Sequence, residues 1–205
     1  VMQSVSGPVV NLYNSGTATG QTASGKKVEL QTEGDFTGKG AVSILVKPQR
    51  TEKFTIRLRI PEWSANTTLK INGVAMPVEA GAYSKIERKW KSGDKIELQF
   101  DMRCRLINAP RGSNREGDNF QALIRGPIVL SRDENIDPNF DKPVQINAEN
   151  GYVAVTPVDN PAQSRLMFKV PTSQGFIHMV DYASVDSWSG KKVCTWLPML
   201  NHTSH

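Results

Sequence analysis

The chain has 205 residues, 38% hydrophobic and 22% charged, with 16 Gly, 12 Pro, 2 Cys and a formal net charge of +5. That balance of apolar and charged residues excludes a disordered chain, and no run reaches the roughly 18–20 apolar residues of a membrane helix. Cys104 and Cys194 are too few and too far apart for a disulfide framework or a zinc site of their own.

Expected strands begin at Val9–Tyr13 and continue with Lys27–Gln31 and Val42–Lys47. In the next, Phe54, Ile56, Leu58 and Ile60 alternate with Thr55, Arg57 and Arg59, which puts the apolar set on one face. Thr68–Ile71 runs into the turn signal Asn72-Gly73, and Tyr83–Glu87 precedes another at Ser92-Gly93-Asp94. Ile96, Leu98, Phe100 and Met102 then alternate with Glu97, Gln99 and Asp101. The polar run APRGSNREGDN at 109–119 reads as a boundary. Beyond it come Phe120–Ile124 and Ile128–Ser131, an irregular excursion from Asp133 to Asn150 with a turn at Asp137-Pro138-Asn139, and then Tyr152–Val155, Leu166–Val170, Phe176–Tyr182 and Val193–Leu197, with a turn at Ser189-Gly190. No amphipathic helix exceeds about two turns. Many short strands at this spacing predict an all-β fold of two antiparallel β-sandwich domains.

The basic balance does not predict nucleic-acid binding. The densest group, Arg57, Arg59, Lys85, Arg88, Lys89 and Lys91, falls on alternating or turn positions, as on the wet face of a half-buried strand. No recognition-helix, zinc-finger or aromatic RNA-binding signature accompanies it.

Candidate chemistry is sparse. Asp133, Glu134, Asp137 and Asp141 crowd one loop, and paired carboxyls about 5–10 Å apart are what glycoside hydrolysis needs, but Asp, Asn and Pro also build turns for geometry alone. His178 lies in the strand FIHMVDY, His202 and His205 at the tail, and no GxSxG elbow occurs. Both cysteines sit in alternating or apolar stretches, where a buried thiol acts as a small hydrophobe. Trp90 and Trp196 have strand contexts and read as core. Trp188, beside Asp186 in the polar run SVDSWSG, looks loop-borne, so this pair is the candidate carbohydrate contact. The glycines of GTATG at 16–20 lead into a strand and no helix, so no phosphate cradle is expected. Catalytic and metal residues are expected to be none.

Seven segments carry a resemblance: VVNLYNSG at 9–16, FTIRLRIPEW at 54–63, LKINGV at 69–74, YSKIERKWKSGDKIELQF at 83–100, RGPIVLSRDE at 125–134, VDYASVDSW at 180–188 and TWLP at 195–198. In this order they resemble the C-terminal part of glycoside hydrolase family 127, the β-L-arabinofuranosidase-like proteins. The resemblance implies a helical barrel followed by two β-sandwiches, with a cysteine nucleophile, zinc and a glutamate acid/base in the barrel. Cys104 and Cys194 match none of the family's zinc ligands, so zinc is expected only in the barrel, outside this chain. The chain, which starts at Val1 and not at an initiator Met, is expected to be a mature or excised piece. Its implied partner is the catalytic barrel of the same polypeptide, with carbohydrate as a further candidate and neither nucleic acid nor membrane.

The resemblance also implies that 16–108 is an inserted sandwich and that 109–205 forms the second, completed by strand 8–15. It favours a secreted or periplasmic location. The stretch 180–188 departs from the family's Tyr-rich, Asn-Arg-containing version, which leaves the sugar specificity open. The resulting expectation is a non-catalytic portion that supports the barrel, or alternatively a carbohydrate-binding module that holds glycan near it.

Overall fold

Alternating wet and dry residues dictate strands, and the computed structural model forms them throughout both halves of the chain. It describes residues 1–110, 112, 119–159, 166–185 and 192–200. Among these there is no α-helix, only a 3₁₀ turn at Tyr182–Ser184, and no helix is long and apolar enough to cross a membrane. The chain divides into two units, Val1–Met102 and Arg103–His205.

The first unit contains β1 (Met2–Ser4), β2 (Gly7–Val10), β3 (Gly16–Gln21), β4 (Lys27–Asp35), β5 (Ala41–Pro48), β6 (Glu52–Arg59), β7 (Thr68–Ile71), β8 (Val74–Met76), β9 (Tyr83–Trp90) and β10 (Asp94–Gln99). They form a four-stranded sheet, β1-β2-β6-β9, and a six-stranded sheet, β3-β4-β5-β10-β7-β8. Phe54, Ile56, Leu58, Ile86 and Trp90 of the first sheet meet Val28, Leu30, Ile44, Val46, Leu69 and Ile96 of the second in one core. This is a sandwich, held by apolar burial between two hydrogen-bonded layers.

Turn chemistry fixes the register where the sequence signals it. Asn72 (φ 50°) and Gly73 (φ 82°) form the two-residue link between β7 and β8, in which Ile71 pairs with Val74. Positive φ at both positions is what a type I′ hairpin needs, and Asn-Gly meets it at least cost. The Asn72 side chain also donates to Asp94 Oδ1 (2.9 Å) and accepts from the Lys95 amide (2.8 Å).

Asp94 is 1% exposed, and its second oxygen accepts from the Lys91 amide at 3.0 Å. Burial alone would push this carboxyl up, but the Lys91 and Asn72 hydrogen bonds and the Arg88 charge outweigh it and hold the group below its ordinary value. Asp94→Ala is therefore expected to cost the first unit about 2 kcal/mol. Because the folded pKa is the lowered one, the carboxylate contributes fully above the ordinary value of 3.8, and its contribution is lost as pH falls through the lower folded value. Urea titrations at neutral pH and in acid check this: the gap between wild type and variant should narrow on acidification.

The strand expected to complete the second sandwich belongs to the first. Residues Val9 and Val10 pair in parallel with Arg57 and Leu58 of β6, and the Thr55 amide donates to the Ser6 carbonyl. Gly7 makes this approach possible: at φ +138°, a Cβ there would lie 2.2 Å from the Thr55 carbonyl oxygen. Tyr13 packs in the same core and donates its hydroxyl to the Arg59 carbonyl at 2.7 Å. The division also falls earlier than the expected 108/109 boundary. Cys104–Asn108 pairs with strands of the second unit, so register decides the boundary ahead of composition.

The second unit contains β11 (Cys104–Asn108), β12 (Phe120–Arg125), β13 (Ile128–Asp133), β14 (Tyr152–Val153), β15 (Thr156–Val158), β16 (Met167–Thr172), β17 (Gly175–Asp181), β18 (Val193–Cys194) and β19 (Leu197–Pro198). The main order is β14-β11-β12-β13-β17-β16-β15. The β12–β13 hairpin pairs only from Arg125↔Ile128 to Leu123↔Leu130. Beyond that its strands part: Phe120 and Gln121 take Pro198 and Leu197, while Arg132 and Asp133 take Cys194 and Val193.

The segment 193–198 thus bends through Thr195-Trp196 and fills the fork, where the Ser131 and Thr195 hydroxyls share a 2.6 Å hydrogen bond. The ladder continues from Met199 to Val144 and from Ile146 to Thr172 of β16. Two layers that separate at β12 therefore meet again at β16, with Leu123, Leu130, Val144, Ile146, Phe168, Val170, Met179 and Leu197 in the core.

Candidate functional site

The loop after β13 gathers most of the charge singled out in the sequence, and its geometry comes from one buried cation. Arg132 is 2% exposed. Its Nη1 donates to the Lys142 carbonyl (2.8 Å), and its Nη2 to the Asp137 carboxylate (2.7 Å) and the Asn139 carbonyl (2.5 Å). Asp137 also accepts from the Asn139 amide (2.9 Å). Burial pushes this carboxyl up, but the hydrogen bonds from Arg132 and Asn139, with the charges of Arg132 and His178, bring it below its ordinary value. Asp133 accepts from the Asn135 amide and Glu134 from the Lys192 amide. Asp133 and Asp137 thus form local turn bonds, while Glu134 ties the loop to the Lys192 amide.

The thiols are placed for packing. Cys104 lies in the core, and burial pushes it up to about 12 against the weaker pull of Arg125 and Arg105. Burial also raises Cys194, whose Sγ donates to the Trp196 carbonyl at 3.2 Å. A nucleophile or zinc ligand must be a thiolate, and these surroundings disfavour one. Among the described residues no three His, Cys, Asp or Glu side chains come together to hold a metal. The zinc implied by the resemblance therefore has no fit in the described part of this chain.

Trp90 is fully buried, as its context predicted, but Trp196 is not core. It sits at the bend in the β12–β13 fork and is 42% exposed. The alternation rule fails there because 193–198 is two short strands with a turn between them, not one continuous strand. Trp188 and Asp186, together with His202 and His205, lie outside the described residues.

The sequence reading overlooked Phe176. It is 51% exposed near the start of β17, with the Lys169 ammonium 3.7 Å from its ring centroid and the His178 ring edge-on at 5.3 Å. An exposed aromatic held by a cation and an imidazole is an unusual surface feature. Period-2 spacing from Met179 and Val180 does not reveal it, since Phe176 has the composition of a core residue.

The comparisons agree with this architecture. Residues 8–102 match the model of the GH127 middle domain of beta-L-arabinofuranosidase. Over these residues the chain is similar to that family's middle domain. The match covers the first sandwich and includes the strand at residues 8–10, consistent with its pairing to β6.

Among solved structures, a GH127 beta-L-arabinofuranosidase from Geobacillus stearothermophilus T6 superposes with a TM-score of 0.79 at 20% identity, over 97% of this chain and 34% of that one. A second GH127 beta-arabinofuranosidase gives 0.76 at 24% identity, over 94% and 34%, and a structure described as a glycoside hydrolase gives 0.76 at 22%, over 94% and 36%. This chain therefore spans about a third of the length of the solved chains it resembles, and at these identities the likeness is one of fold. No curated protein matches the sequence. The chain is all-β, and over residues 8–102, within its first unit, it is similar to the GH127 middle domain.

Proposed function

We propose that this chain is a non-catalytic portion of a family-127-type glycoside hydrolase and supports a catalytic barrel that carries the chemistry and its zinc. The observation that supports this most directly is the middle-domain match over 8–102. The commitment of Asp133 and Asp137 to turn bonds, that of Glu134 to the Lys192 amide, and the raised thiols of Cys104 and Cys194 point the same way. A secreted or periplasmic location goes with this reading. The test is turnover of an aryl L-arabinofuranoside by the purified chain, with and without added zinc. No hydrolysis above buffer is expected in either condition, and zinc-independent or zinc-dependent turnover by this chain would overturn the proposal.

The second reading, a module that holds glycan near the barrel, is favoured by the exposed ring of Phe176. Trp188 and Asp186 are its sequence-proposed contacts.

A further inference from the structure

A cavity of about 350 Å³ opens beside Phe176, lined among others by Arg132, Asp137, Asn139, Gln145 and Gln174. That volume is at the small end for ligand pockets, which run from roughly 300 to 1,000 Å³. Its walls come from three places: the loop after β13, the 144–146 segment that joins Met199 to β16, and the β16–β17 hairpin. Hydrogen bonds between these pieces fix the walls. The Ser173 amide donates to the Gln145 carbonyl (3.0 Å), and the Gln174 amide to the Thr172 hydroxyl (3.3 Å). Arg132 holds the carbonyls of Asn139 and Lys142.

The main chains of Asn139, Gln145 and Gln174 are engaged in these bonds, while their side-chain amides face no partner among the described residues. Arg132 adds a second, independent sign. Its Nε–H is buried and has no hydrogen-bond partner among the described residues, while Nη1 and Nη2 are taken. A buried charged donor left unpaired costs about 1–3 kcal/mol or more, a cost the fold carries at a residue that lines this cavity.

The chemistry of the lining selects the ligand. Amide groups both donate and accept, which matches hydroxyl groups that do the same. The Asp137 carboxylate on the wall opposes an anion and neutralises the Arg132 charge, which leaves Lys142 as the lining cation outside that ion pair. The phenyl ring of Phe176 offers an apolar surface suited to the C–H face of a sugar ring. Lys169 and His178 pack against that ring.

The geometry points to this pocket as a binding site for a neutral sugar residue of a glycan, with Phe176 as the platform and Asn139, Gln145 and Gln174 as hydroxyl partners. The inference deepens the second reading above and rests on it.

The test is titration of the ¹⁵N-labelled chain with neutral L-arabinan oligosaccharides and, separately, with oligogalacturonides, followed by amide shifts and calorimetry. Shifts are expected at 139–145 and 172–178 with the neutral probe. Phe176→Ala and Gln174→Ala, both at exposed positions of the hairpin, are expected to weaken binding about tenfold each while the thermal unfolding midpoint stays in place.

Tighter binding of the oligogalacturonide would overturn the choice of a neutral ligand. Binding that Trp188→Ala abolishes and Phe176→Ala leaves unchanged would overturn this site yet keep the glycan-binding reading. The absence of binding by either probe would overturn both.

Discussion

Trp90→Ala is expected to destabilise the first unit by about 4 kcal/mol, most of the margin of an ordinary domain. Among the described residues Trp90 is the largest fully buried side chain, and its ring lies in the core of the sandwich beside Phe54, 6.1 Å between centroids. Its indole N–H donates to the Phe54 carbonyl at 3.1 Å. Truncation opens a cavity between two sheets that ladder bonds hold apart, so neighbouring side chains can fill it only in part. It also leaves the indole's carbonyl partner with one bond fewer. Trp90→Phe separates the two effects, because it keeps most of the volume and removes the donor; about 1–2 kcal/mol is expected. Urea unfolding of the whole chain checks both. The first unit's transition should fall by about 2 M in Trp90→Ala, while the second unit's transition serves as an unchanged internal reference.

Arg132→Met is expected to cost the second unit about 3 kcal/mol, at the low end for removing one member of a buried pair because Asp137 is 23% exposed. Methionine keeps the stem's packing, so the loss reports the guanidinium. Without it the Lys142 carbonyl loses its donor, the Asn139 carbonyl keeps only the Lys142 amide, and the Asp137 carboxylate keeps only the Asn139 amide.

The pH response distinguishes this from simple loss of packing. Asp137 is held below its ordinary 3.8 in the folded protein, so its stabilisation is complete above that value and is lost as pH falls through the folded one. Wild type should lose second-unit stability on acidification below about pH 4. The variant, whose Asp137 lacks the cation, should show a flatter profile over the same range. An equal slope in both proteins would mean that Arg132 acts only through the carbonyls.

How much was legible in the sequence depends on where each strand keeps its dry face. Phe54, Ile56, Leu58 and Ile60 are all buried, and Ile96, Leu98 and Phe100 with them, because alternation and burial are the same statement for a half-buried strand. Thr68–Ile71 keeps its predicted ends, fixed by the Asn72-Gly73 turn. β3, Gly16–Gln21, left no such signal. It pairs along its whole length with β4 through main-chain bonds and has no buried face, so its side chains carry no period.

The placement of 8–15 could not be read from hydropathy either. Which sheet a short apolar strand joins is decided by the close approach at Gly7 and by the Tyr13 hydroxyl on Arg59, both long-range facts. For the pocket, the loop's turn-forming carboxylates were legible as such. The Phe176 platform was not, since its exposure follows from the position of Ser173-Gln174 at the tip of a hairpin whose partner segment, 144–146, is distant in sequence.

The fork between β12 and β13 sets an order of events. Residues 193–200 leave the ribosome after every strand they join, so the second unit cannot close while it is being made. Until then Leu123, Leu130 and Val144 lack the cover of Leu197, and the parted ends of the hairpin offer unpaired amides. The same segment that completes the core therefore acts as its latch. The interval before it arrives is when a nascent chain of this kind has most need of protection from its neighbours.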